Sequence, residues 1–551
     1  MANVRSLVAK ANQKLSIRWA AALLSASTFF SLLFGLYRDR LLNSMYLPSD
    51  TTGFGGYPVG IDAYTAAFTV PDFMFFILVS GALSVTFIPV FNQRLVAGNK
   101  KSAWELSTSL INFMALITLV ASILIIIFAD PLIRYIVAPG LDESGMGLAI
   151  SMTRVVAINP FLFAITSVIT SMQQAIGRFT FYALAPSVYN IGIIIGILWF
   201  TKGINIFGFQ VFDGGIMGLA LGVVLGSVMQ LIISTIGLIG LGFDYRFKIF
   251  WKNQGFRKVL TLLPARSLDQ GMDYILAVVE INLASRMAAG TVRAYNQASN
   301  LYMAPINLIG VAISTAAFPQ MSERLSQGRP DLFKKELQAV LRVIIWIAMP
   351  VAMLIFATRG YIVSFIKPGG STIIAGLLGA LTIAILFRSI YHLASRSFYA
   401  QQDTKTPLYI SFVSIGLNIF LAVWFTQKLG TGPYGLAWAQ SIVAVIEVLI
   451  LFVVMSRRIR GLIDKNLIRA VRRMIIASSS MAVVSYVLVK IFPFQATDVS
   501  LSLTVPKFII ICSLSSLTYI ACSRLLGLRE AEPVIQTVKK FIFATGLARK
   551  R

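Results

Sequence analysis

Fourteen apolar or amphipathic stretches of about twenty residues or more lie near 16–37, 63–91, 103–128, 147–175, 180–200, 215–242, 258–288, 294–320, 336–357, 372–399, 407–427, 434–456, 471–491 and 505–525. About 20 apolar residues in helical form cross the ~30 Å hydrocarbon core of a bilayer. Only a helix or a closed barrel satisfies its own backbone there. The spacing therefore predicts an all-α polytopic membrane protein with 14 transmembrane helices. Composition agrees, since 57% of the 551 residues are hydrophobic and only 13% are charged.

The charges that remain set the topology. A formal net charge of +26 would suggest nucleic acid in a soluble chain. Here Lys and Arg cluster between the apolar runs, at Arg94/Lys100/Lys101, Arg246/Lys248/Lys252/Arg257/Lys258, Arg324/Arg329/Lys334/Lys335 and Arg457/Arg458/Arg460/Lys465. That pattern marks cytoplasmic loops touching anionic lipid, and no nucleic-acid motif accompanies it. All four clusters fall on the side of the basic N-terminus, while 41–62, 138–146 and 202–214 are poor in Lys and Arg. Both termini are therefore expected in the cytoplasm. The first apolar run leads into FGLYRDR, not a small-residue cleavage site, so it reads as a retained helix.

Two cysteines, Cys512 and Cys522, and one histidine, His392, offer neither a disulfide scaffold nor a zinc cluster. The chain has no phosphate-cradling glycine loop, no HExxH and no nucleophile elbow. These absences point away from an enzyme and from a bound cofactor, and energy would come from an ion gradient, the membrane potential or the substrate's own gradient.

A repeat organises the chain further. AYTAAFTVPDFMFFILVSGALSVTFIPVFNQRLVAG (63–98) parallels AYNQASNLYMAPINLIGVAISTAAFPQMSERLSQG (294–328), so that after one gap Pro89, Arg94, Leu95 and Gly98 match Pro319, Arg324, Leu325 and Gly328. The second helix thus recurs as the eighth, and the six spans per repeat give both halves one orientation. A weaker echo joins 173–190 to 400–418, both ending on Asn. The expected plan is two pseudo-symmetric six-helix lobes around a central cavity, 1–250 and 251–460, followed by two C-terminal helices and a basic tail in 461–551.

Ionisable groups at bilayer depth cost at least ~2.5–3.5 kcal/mol each at a helix centre, so each needs a partner or a wet cleft. The seventh span carries Arg266, Asp269, Asp273 and Glu280, which at roughly 100° per residue share a sector about 60° wide. An Arg266–Asp269 lock is the structural alternative. Arg38 and Asp39 close the first helix, and Arg388, His392 and Arg396 share a face of the tenth. Snorkelling accounts for Arg396 as well as function does, and Arg154 and Arg286 belong at the outer interface. Arg38, Arg266 and Arg388 would suit a pyrophosphate, because guanidinium forks match such oxygens. Asp269, Asp273 and Glu280 are the candidates for Na+ or H+ coupling. Pro71, Pro160, Pro264, Pro305 and Pro350 should kink their helices.

FGLYRD (34–39), IDAYTAAFTVPD (61–72), VAPG (137–140), FTFYALAPSVYN (179–190) and FYAQQDTKTP (398–407) together resemble the MurJ (MviN) family of the multidrug/oligosaccharidyl-lipid/polysaccharide exporter superfamily, over all fourteen spans. The resemblance implies a flippase of the bacterial inner membrane that moves lipid II, the undecaprenyl-pyrophosphate-linked peptidoglycan precursor, to the outer leaflet by alternating access. It implies a cationic cavity, a groove near helices thirteen and fourteen for the lipid tail, and a monomer. It also implies that Arg38 and Asp39 stand for the family's Arg-Asp pair and Asp62 for its acid at the start of the second helix. Other family arginines fall at Leu32, Phe75, Phe76 and Asn300, and His392 at a position where relatives carry Lys. The cationic site is therefore expected to have moved to Arg266 and Arg388. A flippase for another polyprenyl-pyrophosphate oligosaccharide and a cation-coupled drug antiporter are the alternatives, with a membrane scaffold and a glycosyltransferase as readings of other classes.

Overall fold

A computed structural model describes residues 17–47, 60–80, 87–206, 209–495, 497–533 and 535–536. The protein is helical, and among the described residues twelve helical segments are long and apolar enough to cross a membrane. Two more long helices, α1 (Ile17–Tyr46) and α10 (Gln254–Ser285), run for 30 and 32 residues. The chain separates into two compact units, Met1–Arg293 and Ala294–Arg551.

In the first unit α1 is followed by α2 (Ile61–Ala67), α3 (Thr69–Phe75), α4 (Ile88–Val96), α5 (Lys100–Pro131), α6 (Glu143–Val156), α7 (Asn159–Ile176), α8 (Thr180–Leu198), α9 (Met217–Ile236) and α10. Polar residues between the apolar runs start these helices. Asn99 accepts the Ser102 N–H, Asp142 that of Gly145, and Asn253 those of Gly255 and Phe256. Gly177, left-handed at φ 82°, ends α7. Pro160 stands in the first turn of α7, where its missing N–H costs nothing, and so the run 147–175 is two helices broken at Ala157 and Ile158. The connection 202–214 is not a plain loop. Its β-branched and aromatic residues form an antiparallel hairpin, β1 (Ile204–Ile206) with β2 (Phe209–Phe212), pairing Ile204 with Phe212.

Small residues decide how closely these helices approach. A Cβ on Gly192 would lie 2.3 Å from Gly226 Cα, and one on Gly196 2.5 Å from Gly222 Cα, so α8 and α9 meet backbone to backbone. In the VAPG segment a Cβ on Gly140 would lie 2.4 Å from Arg286 Cα, while Asn282 Nδ2 donates to the Ile136 carbonyl at 2.7 Å. This contact and packing against α3, α4 and α5 hold α10 within the first unit.

The second unit contains α11 (Thr291–Ile306, from its fourth residue), α12 (Ala312–Ser326), α13 (Pro330–Ile366), α14 (Thr372–Ala400), α15 (Lys405–Val423), α16 (Pro433–Arg458), α17 (Lys465–Ile491) and α18 (Leu501–Leu525). Its apolar core joins Phe333, Leu341, Trp346, Leu393, Phe398, Leu451 and Met474. The last helix, α18, is bolted to α13, with Trp346 Nε1 donating to Ser523 Oγ at 3.2 Å and Tyr519 Oη to the Trp346 carbonyl at 2.8 Å.

The repeat seen in the sequence returns as geometry. The second span widens into a π-helical turn at Phe76–Ser80, and its copy does so at Asn307–Val311, the same place in the aligned segments. Helices α8 and α15, which follow the echoing turns, are 19 residues each.

At the second of those turns Asp403 Oδ1 accepts the N–H groups of Lys405 and Thr406, Oδ2 accepts the Thr406 hydroxyl at 2.6 Å, and Arg458 pairs with it at 2.7 Å. Burial pushes this carboxyl up, but Thr406 and Arg458 outweigh it and hold it at about 2. A carboxylate lowered from its ordinary value near 3.9 contributes stability that is complete above about pH 4 and is lost as pH falls toward 2. We expect Asp403→Asn to lower thermal stability at pH 7 by about 1 kcal/mol or less, because solvent screens the pair. The gap from wild type should narrow as pH falls through 2. A gap that persists in acid would show that the charge is not what matters.

Candidate functional site

Of the sequence-derived candidates, Arg38, Asp39 and Asp62 gather in the first unit, and Arg388 and His392 in the second. In the first unit Arg38 and Asp39 lie next to each other near the end of α1, and Arg38 donates Nε and Nη2 to Asp39 Oδ1 at 3.3 and 3.1 Å. Its Nη1 donates to Asn190 Oδ1 on α8 at 2.9 Å. The same Asp39 oxygen receives Arg293 Nη2 at 3.2 Å, and Arg293 Nε donates to Asn43 at 3.1 Å. Arg293 also offers its backbone N–H to Asp62 Oδ1 at 2.8 Å, while Gly290 N donates to Asp62 Oδ2 at 2.5 Å. Asp62 thus satisfies the open N–H groups at the start of α11 from a distant helix.

The electrostatics follow from this arrangement. Arg293 is buried, its side chain 6% exposed, so its charge relies on Asp39 and Asn43, whereas the Arg38 side chain is 24% exposed. Arg38 uses three donors on these bonds, leaving two of the five in a guanidinium without a partner among the described residues. An oxyanion reaching Arg38 would find forked donors already aimed by Asp39 and Asn190.

In the second unit Arg388 pairs with Glu447 at 2.9 Å; Glu447 also accepts the Ser411 hydroxyl at 3.1 Å, and Ser411 bonds Tyr391 Oη at 2.8 Å. The Arg388 guanidinium lies 5.6 Å from the Tyr391 ring, and His392 meets that ring edge-on. One turn further, Arg396 donates to Ser314 and to the Val311 carbonyl at the π turn, a bonded position and not a snorkelling one. Asn418 bonds Gln440, whose Nε2 donates to Tyr302 Oη at 3.0 Å. Of the Asn residues that close the two copies of the echo, Asn190 is a hydrogen-bonding hub, joined to Arg38, Ser31 and the Pro186 carbonyl, whereas the Asn418 side chain bonds Gln440.

At Phe75 and Phe76, where the resemblance implied arginines, aromatics pack instead. Phe76 stacks on Tyr274 at 4.3 Å and Phe75 meets Phe163 edge-on at 5.6 Å. Beside Phe75 and Phe163 a cavity of about 290 Å³ is lined by Thr166, Thr170, Tyr182 and Gln230. Leu32 is exposed, and so is Asn300, whose Nδ2 donates to Asn296 Oδ1 at 3.2 Å. The side chains of Arg266, Asp269 and Asp273 lie outside the described residues, and Glu280 is half-buried. No group of three or more His, Cys, Asp or Glu placed to hold a metal occurs among the described residues.

Two partners escaped the sequence reading. Glu447 stands alone in an apolar span, and an acid at that depth is itself the signal. Arg293 sits one residue before the repeat copy at 294 and reads as a loop charge, so only the fold reveals its partners. We expect Asp62→Ala to destabilise the protein by about 2 kcal/mol, since it strands two N–H groups, and Asp62→Asn by less. Thermal unfolding in detergent checks this, and equal losses for both variants would contradict it.

Comparison with known proteins adds the following. A family model described as "Lipid II flippase MurJ" matches residues 53–505. The "Probable lipid II flippase MurJ" of Thermotoga maritima is 24% identical over 522 residues, 93% of this chain and 97% of that protein. The "Lipid II flippase MurJ" of Thermosipho africanus is 27% identical over 443 residues, 79% and 85% of the two chains. A solved structure titled "Lipid II flippase MurJ, inward closed conformation" superposes with a TM-score of 0.70 at 24% identity, covering 92% of this chain and 98% of that one. An inward-facing multidrug resistance MATE family transporter follows at 0.61 and 15% identity, covering 81% and 99%.

Proposed function

The chain belongs to the MurJ family of lipid II flippases, and from that premise we propose that it transfers lipid II from the cytoplasmic to the outer leaflet of the inner membrane by alternating access. It acts as a transporter and not as an enzyme. Twelve candidate spans make it a multi-pass membrane protein. Adding α1 and α10 gives the fourteen crossings of the proposed topology, with both termini cytoplasmic, two six-helix lobes and a terminal pair, working as a monomer among anionic lipids.

The observation that carries the substrate reading is Arg38, partly exposed and oriented by Asp39 and Asn190 with donors to spare. The substrate's pyrophosphate is the anion such a fork recognises. Arg388 is held by Glu447, so a pyrophosphate must compete with that carboxylate to recruit it. This turns the second cluster into a latch that opens on substrate binding. Arg266 is a further cation of this proposal, and His392 and Asn300 are further substrate contacts in it. Asp269, Asp273 and Glu280 are its coupling acids for Na+ or H+.

Complementation of a strain depleted of its own lipid II flippase tests the reading. The wild-type chain should rescue growth. Arg38→Ala should lower flipping about tenfold or more, as the loss of a charge-assisted hydrogen bond implies, with smaller losses for Arg266→Ala and Arg388→Ala. Full rescue by all three variants at normal expression would rule out the cationic site. A well-expressed wild type that fails to rescue would instead favour another polyprenyl-pyrophosphate oligosaccharide or a drug antiport function.

A further inference from the structure

The second unit holds a cavity walled in part by α17, the thirteenth span, near which the resemblance implies a groove for the lipid tail. About 950 Å³ opens between the later part of α13, the first half of α14 and the later part of α17, walled by Met353, Phe356, Ile383, Phe387, Tyr486 and Phe494. That volume lies within the range of ligand sites, roughly 300–1,000 Å³. Phe356, Ile383 and Tyr486 are exposed, so the cavity is open at its surface.

One charged side chain lines it. The Arg359 guanidinium lies 4.5 Å from the Phe356 ring centroid, and its Nη1 donates to the Phe356 carbonyl. The fold makes room for this placement, because a Cβ on Gly379 would meet Arg359 Cδ at 3.2 Å and Phe356 Cε2 at 3.6 Å. Arg359 belongs to no ion pair among the described residues. It stands seven residues before Ile366, the last residue of α13, which places it about 10 Å inside the helix end. A cation at that depth without a carboxylate calls for an anion from elsewhere. A second cation, Lys490, lies 5.0 Å from the ring of Tyr486 at the same end.

We propose that this cavity binds an anionic phospholipid, one acyl chain filling the apolar space and the phosphate resting on Arg359. The polar groups around it are Arg359, Tyr361, Thr372, Thr382 and Tyr486. That set suits a small phosphodiester headgroup and is too sparse to recognise a large glycopeptide. The end of α13 that carries the site is opposite its basic start at Arg329/Lys334/Lys335, which corresponds to the outer leaflet in the proposed topology. The proposal stands independently of whether the protein flips lipid II.

Native mass spectrometry of the delipidated full-length protein, offered equal amounts of dioleoyl phosphatidylglycerol and dioleoyl phosphatidylcholine, tests it. The wild type should retain phosphatidylglycerol about tenfold over phosphatidylcholine, as expected for one charge-assisted contact. Arg359→Gln should erase that preference, Arg359→Lys should keep most of it, and Ala375→Trp, which fills the cavity, should lower retention of both lipids. Equal retention by the wild type, or a preference unchanged in Arg359→Gln, would overturn the proposal. So would displacement of the bound lipid by stoichiometric undecaprenyl pyrophosphate, which would assign the cavity to the transported lipid. If Ala375→Trp fails to fold, the Gln and Lys pair decides alone.

Discussion

One carboxylate oxygen of Asp39 receives two guanidinium groups, Arg38 at 3.1 Å and Arg293 at 3.2 Å, and much of the first unit is arranged around that sharing. Two like charges on one anion are tolerable inside an apolar bundle only if each has further acceptors. Asn190 serves Arg38 and Asn43 serves Arg293. The backbone of Arg293 is in turn fixed by Asp62, so α1, α2, α8 and the first turn of α11 meet at one polar knot. Partial exposure of Arg38 alone makes the knot useful, since it presents a positioned cation instead of a sealed one.

The second unit solves the same physical problem with different residues. A single acid, Glu447, neutralises Arg388 and is itself supported by Ser411, which in turn bonds Tyr391. In both units the span that opens the repeat carries a π turn at the equivalent place, and such turns free backbone carbonyls for other partners. Arg396 uses one of them, at Val311. The repeat thus conserves backbone form while its polar contents diverge, which is why aromatic rings fill the space around Phe75 and Phe76.

Apolar run length made the helical class legible, because a bilayer admits few alternatives to helices. Short motifs made the family legible, and the structure gives several of them physical meaning. Gly140 in VAPG lets the chain touch the end of α10, Asn190 closes FTFYALAPSVYN on Arg38, and Asp403 in FYAQQDTKTP ties the turn before α15. Pairing was not legible, because Asp39 and Arg293 are 254 positions apart in the chain, and helical periodicity reports a face but not what that face meets. Arg388 illustrates the point, since its position on the tenth helix could be read whereas its partner on α16 could not. The hairpin at 204–212 was missed because its alternation is only a few residues long.

Transport of reconstituted lipid II across proteoliposomes, measured for Asp39→Asn, Arg293→Gln and the double variant, tests most directly whether the knot acts as one unit. If the shared carboxylate positions the cation that receives pyrophosphate, each single variant should lose at least tenfold in rate, and the double variant should lose little more than either, as expected for coupled neighbours. Losses that simply multiply, or single variants that transport at the wild-type rate, would contradict the account.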